Sequence, residues 1–169
     1  FRRVLFRSEA ADLPVFERVW NTNVLGAVHT FQPFVRGMRA RGAGRLVGIA
    51  SVAGYRGLPG AAAYSASKAA LISYLESLRV ELHGSGVGVT TICPGYVATD
   101  MTAHNPYPMP FIIDADTAAR KMARVIDRGR SYAVIPWPMA VVARVLRMLP
   151  NPLYDKLFAG APRKPRQER

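Results

Sequence analysis

Two short runs constrain this chain more than anything else in it. RLVGIA (45–50) and VGVTTIC (87–93) are almost wholly apolar, and each begins at a glycine-rich break, RGAGR and GSG. A run of that length without polar alternation reads as a strand covered on both faces. From Asp12 to about Arg41, Phe16, Trp20, Ala27, Phe31 and Phe34 recur at steps of three, four or seven, which makes one helical stripe. SVAGYRGLPGAAA reads as a loop, and a long helix with Leu71, Leu75, Leu78 and Leu82 on one face runs to about His83. Past the second strand come an irregular loop, PGYVATDMTAHNPYPMPF, a helix over 116–127 and a third strand, SYAVIP. PMAVVARVLRMLPNPLYDKLFAG then reads as two short amphipathic helices. Helices alternating with buried strands predict an α/β class, a Rossmann-like parallel sheet with crossover helices. Ligands bind such sheets at the carboxyl ends of the strands, so SVAG and PGYVATDM are the segments to watch.

Charge and composition narrow the function. The net charge is +12, but it is not clustered: three arginines open the chain, more basic residues crowd the tail APRKPRQER, and Arg120, Arg124 and Arg128 recur at helical spacing. Without a zinc-finger spacing or an RNA-binding aromatic signature, this distribution reads as solvated surface and a disordered tail, not a nucleic-acid site. His29, His83 and His104 stand alone, with no metal-ligand spacing. The single cysteine, Cys93, cannot form an internal disulfide and reads as a small buried residue in a reducing, cytoplasmic setting. No apolar run is long enough to span a bilayer.

Polar residues interrupt the apolar faces at three places. Extended backwards, the leucine stripe of the long helix reaches Lys68 and then Tyr64, one turn apart. Solvation beyond the end of the sheet is the bland reading of that lysine. Asn23 interrupts the first helical stripe, where a structural hydrogen bond to a loop would suffice to explain it. Ser51 stands where the chain leaves its first strand, where it could simply cap a turn. Taken together, the four suit proton transfer to or from a carbonyl or alcohol. A free phenol ionises near ~10, a neighbouring ammonium favours the phenolate, and a general acid–base group works best near the operating pH.

FERVWNTNVLGA, GRLVGIASVAG, YSASKAAL and PGYVATDM, in this order, resemble the short-chain dehydrogenase/reductase family from about Asp12 to at least Pro136. Tyr64-Ser-Ala-Ser-Lys68 matches that family's YxxxK, with Ser51 thirteen residues ahead of the tyrosine. The resemblance implies an NAD- or NADP-dependent oxidoreductase that interconverts an alcohol and a ketone or aldehyde. It implies Tyr64 as general acid/base, Lys68 lowering the tyrosine's pKa and holding the nicotinamide ribose, Ser51 placing the substrate oxygen, and Asn23 supporting a proton relay. By the same resemblance Pro94, Gly95, Val97 and Thr99 join Tyr64 and Lys68 in contacting the cofactor, and the full-length protein forms homo-oligomers. A non-catalytic dinucleotide sensor or scaffold is the rival; it would have no need of a tyrosine–lysine pair on one helix.

The family's TGxxxGxG phosphate motif is not spelled anywhere in this sequence. The opening FRRVLFRS matches an in-frame translation of a sequencing-adapter end, with a genuine basic extension as the alternative. The expected organisation is therefore an adapter-derived peptide (1–8), a partial Rossmann-like catalytic region (9–136), C-terminal amphipathic helices serving as substrate lid or interface (137–158), and a basic disordered tail (159–169). Such a piece is expected to turn over no cofactor by itself and to expose an apolar edge along RLVGIA. The bulky, apolar loop and terminal helices point to a fairly hydrophobic substrate. Trp137, Val141, Val145 and Leu149, beside Arg144 and Arg147, are expected to pack on the body or on another subunit, with a membrane surface as the alternative.

Overall fold

The computed structural model describes residues 13–160 apart from Met101, His104 and Pro106. The expected adapter peptide and residues 161–169 of the basic tail lie outside the described residues. The apolar runs become strands β1 (Gly44–Ile49) and β2 (Val87–Pro94), and SYAVIP becomes β5 (Tyr132–Ile135). They form a parallel sheet in the order β1–β2–β5, with Gly44 opposite Val87 and Pro94 opposite Ile135. Inside the loop expected to be irregular, β3 (Val97–Ala98) pairs in parallel with β4 (Ile113–Asp114). Two residues per strand leave no alternation to read.

Helices cover both faces. Leu46, Val89 and Cys93 belong to one buried cluster with Phe31, Leu71 and Leu75, supplied by helices α2 (Gly26–Ala40) and α3 (Ala62–Glu81). Ile92 and Ile135, with Val47, pack against Val125 and Met122 of α4 (Ala115–Asp127) on the opposite side. Odd and even strand positions thus face different helical layers, which is why neither run alternates with polar residues. Gly48 sets the approach on the first face: a Cβ there would lie 2.3 Å from Leu75 Cδ1. The sharp return into β2 also depends on glycine, since Gly86 has φ +76° and any Cβ would strike the Gly42 carbonyl. Helix α4 starts at an Asp114 cap, whose Oδ1 accepts from Thr117 N at 2.7 Å. That bond holds the Asp114 carboxyl below its usual range.

The first helical stretch departs from the expected stripe. Helix α1 (Leu13–Trp20) runs into a single π turn over Asn21–Leu25 before α2 begins. A π turn is wider than an α turn and rotates the faces on either side of it. Val15, Val24 and Phe31 are buried, and within α2 the packed line runs Ala27, Phe31, Val35 and Met38, which leaves Phe34 in solvent. Helices α5 (Pro138–Met148) and α6 (Asn151–Phe158) follow β5 as expected. The face of α5 that packs on the body carries Met139 and Ala143. Trp137, Val141 and Val145 face outward, so of the two packings expected for them, on the body or on another subunit, the first does not hold.

Candidate active site

The carboxyl end of β1 and the first turns of α3 meet in a polar cluster. The buried line of α3 runs backwards from Leu75 and Leu71 to Ser67 and Ala63, in steps of four. Tyr64 and Lys68 therefore sit on the flank of the buried line, half-buried, not on the line itself. The Lys68 ammonium donates to the Ile49 carbonyl at 2.8 Å and lies 5.8 Å from the centroid of the Tyr64 ring. An ammonium so placed is neither a stray surface charge nor an unpartnered buried one.

Asn23 reaches the same turn from the π segment. Its Nδ2 donates to Ser67 Oγ at 3.0 Å, and Ser67 Oγ donates to the Tyr64 carbonyl at 2.8 Å. Ser67 is fully buried and bridges the two residues; sequence reasoning missed it by stepping back three positions from Leu71 to Lys68 instead of four. Ser51 is buried and takes the bland role as well: its Oγ accepts from Ala53 N at 3.1 Å, capping the 3-10 turn Val52–Gly54. That turn lies hard against α3, where a Cβ on Gly54 would meet the Lys68 carbonyl carbon at 2.9 Å. The loop carrying Ser51 and the helix carrying Lys68 are thereby held in one block.

The other expected residues cluster at the end of β2. Pro94 closes the strand, and Gly95 N donates to the Ile135 carbonyl at 2.8 Å. A Cβ at Gly95 would come within 2.7 Å of Met139 Cγ, so helix α5 already accounts for that glycine. Val97 pairs with Ile113, and its carbonyl accepts from Thr102 Oγ1 at 2.7 Å. Thr99 is exposed, and its backbone is engaged with Thr102 and Ala103.

Behind the cluster runs a chain of weak acids. Tyr132 Oη donates to Tyr55 Oη at 2.8 Å and lies 3.1 Å from Cys93 Sγ. Burial pushes the Cys93 thiol up, against smaller pulls from Tyr132, the Ser51 backbone and the Lys68 charge. Burial also raises the Tyr132 and Tyr55 phenols, so all three stay neutral at ordinary pH. Arg56 does a different job. Its guanidinium donates to the carbonyls of Leu146 (2.6 Å) and Leu149 (2.5 Å), donates to Asn151 Oδ1 at 2.9 Å, and stacks 3.9 Å over the Tyr154 ring. Tyr154 Oη donates back to the Gly57 carbonyl at 2.6 Å, so α5 and α6 are fastened to the loop after Ser51. Among the described residues no group of three His, Cys, Asp or Glu could hold a metal ion.

Tyr64 and Lys68 lie one turn apart on α3, with the Lys68 ammonium anchored at the carboxyl end of β1, and a phenol and an ammonium are by chemistry a donor pair that suits the hydroxyls of a nicotinamide ribose.

A family model described as short chain dehydrogenase matches residues 4–108. An uncharacterized oxidoreductase of Myxococcus xanthus is 49% identical over 135 residues, covering 80% of this chain and 53% of that protein. An uncharacterized oxidoreductase of Mycobacterium tuberculosis is 37% identical over 140 residues, covering 82% of this chain and 54% of its own. The chain thus spans about half the length of the curated relatives it matches. A short chain dehydrogenase of Burkholderia cenocepacia, solved in complex with NADP, superposes with a TM-score of 0.78 at 24% identity, over 93% of this chain and 65% of that one.

Proposed function

This chain belongs to the short chain dehydrogenase family, and from that premise we propose that it is the catalytic part of an NAD- or NADP-dependent oxidoreductase interconverting an alcohol and a ketone or aldehyde. The observation that carries the reading is the tie of Asn23 through Ser67 to Tyr64, with Lys68 anchored beside the same tyrosine. The dinucleotide, when bound, supplies or takes up the hydride. Tyr64 and Lys68 are the residues that would hold its nicotinamide ribose, with Pro94, Gly95, Val97 and Thr99 bordering the ring end.

The protein's own work is proton management and placement. Tyr64 gives a proton to the substrate oxygen during reduction and takes it back during oxidation. Ser51 uses a lone pair to accept from Ala53, which leaves its O–H to donate to the substrate oxygen. Asn23 commits its amide nitrogen to Ser67 and can use its carbonyl to order a relay water. The exposed Phe111 and Ile112, with the Tyr96–Tyr107 ring pair at 6.4 Å, suit a fairly hydrophobic substrate. A lone, buried Cys93 accords with a cytoplasmic setting.

The test uses the protein expressed from its genomic reading frame. Tyr64→Phe is expected to lower turnover by roughly 10²-fold or more while dinucleotide binding stays within a small factor. Unchanged turnover would refute Tyr64 as the general acid/base, and dinucleotide binding with no turnover in the unsubstituted protein would favour a sensor.

A further inference from the structure

Helix α5 shows solvent a continuous apolar face. Trp137, Val141, Val145 and Met148 follow one another at steps of four, four and three, so they share one side of the helix. All four are exposed, Trp137 by 73% and Met148 by 82%. Arg144 and Arg147, also exposed, run along one border of the stripe, and no acidic residue lies on the helix. The opposite face, Met139 and Ala143, is the one committed to the body. The Arg56 clamp on the carbonyls of Leu146 and Leu149 fixes the helix in place, so the stripe is a preformed surface.

Its position also separates it from the open edge of the sheet. Helix α5 packs beside β5 and the turn after β1, while the edge of β1 that is unpaired among the described residues lies at the far side of the β1–β2–β5 order. A strand added along β1 would therefore leave the stripe uncovered. A second copy meeting it about a twofold axis would bring Arg144 and Arg147 against their own images, a like-charge contact. An anionic surface has the complementary charge. Tryptophan at the end of an apolar stripe with arginine at its border is the composition of a helix that lies in the headgroup layer.

We propose that α5 is a peripheral docking surface for anionic phospholipid bilayers, with Trp137, Val141, Val145 and Met148 entering the interface and Arg144 and Arg147 meeting headgroup phosphates. No helix among the described residues is long and apolar enough to cross a membrane, so the contact lies on the surface.

Flotation through a density gradient tests this, because aggregated protein sinks and only vesicle-bound chain rises. The chain is expected to float with phosphatidylcholine vesicles containing phosphatidylglycerol and to bind pure phosphatidylcholine far more weakly. Arg144→Gln/Arg147→Gln should weaken binding to the anionic vesicles about thirtyfold. Trp137→Ser/Met148→Ser should abolish it, with the far-UV circular dichroism of both variants unchanged. The fluorescence of Trp137 should shift to the blue on anionic vesicles, and that shift should vanish in Trp137→Phe. The proposal is overturned by failure to float with either vesicle, or by flotation that the Trp137→Ser/Met148→Ser change leaves intact. A dimer in sedimentation analysis that the same double change dissolves would also overturn it, because the stripe would then belong to a second copy.

Discussion

Strands β1 and β2 lie side by side in parallel and are close in composition, yet they occupy opposite environments. In β2, Ile92 and Cys93 are wholly buried, with a strand on either side and helices on both faces. In β1 the last residue, Ile49, is 44% exposed, and among the described residues β2 is the one strand that pairs with β1. An apolar run therefore tells which faces a strand can bury. It does not tell whether the strand has one neighbour or two, because backbone hydrogen bonds leave no mark on side-chain pattern.

The largest effect should come from the centre. Leu75→Ala removes the side chain that fills the hollow above Gly48 and is expected to cost about 2–5 kcal/mol in urea unfolding. A loss well under 1 kcal/mol would break the contrast between centre and edge.

Alkaline pH probes the same centre more gently. The Cys93 thiol is raised above its ordinary 9.0 by burial, so the unfolded chain ionises there first. Stability from this group is complete below that pH and falls as pH rises beyond it, by at most about 1.4 kcal/mol per pH unit. Tyr55 and Tyr132, raised above 10.0, extend the loss with the same sign. Cys93→Ala should flatten the first part of the decline in denaturation midpoints measured from pH 8 upwards, and an unchanged slope would show that the thiol is not held neutral.

The smallest effect belongs to the edge. Ile49→Lys should change unfolding free energy by no more than about 0.5 kcal/mol and should reduce aggregation measured by light scattering. A large destabilisation would show that Ile49 is a core residue after all.

Much of this was legible in the sequence, for reasons that can be stated residue by residue. The α/β alternation follows from runs that keep one period over six residues or more, and the three main strands and the helices appear where that period placed them. That Tyr64 and Lys68 lie one turn apart was legible because a fixed spacing on one helix survives folding. Ser67 was not, although it is the more deeply buried, because a serine raises no alarm on an apolar face in the way a lysine does. Phe34 was misplaced because the buried line of α2 continues from Phe31 to Val35 and Met38, and a phenylalanine three residues on looked the better candidate for that line. Arg56 carried no signal at all, since its partners lie about ninety residues away and are mostly backbone carbonyls, which any sequence supplies.

The proposed role of the Tyr64–Lys68 cluster is hydride exchange between a dinucleotide and a carbonyl carbon. The measurement that meets it most directly is label transfer: the protein from its genomic reading frame, incubated with NADH and NADPH deuterated at the transferable position and a mixture of ketones. Deuterium is expected on the carbinol carbon of an alcohol product, and none when Tyr64 is replaced by phenylalanine. An unlabelled product, or no reduction of any ketone by a protein that binds the dinucleotide, would contradict it.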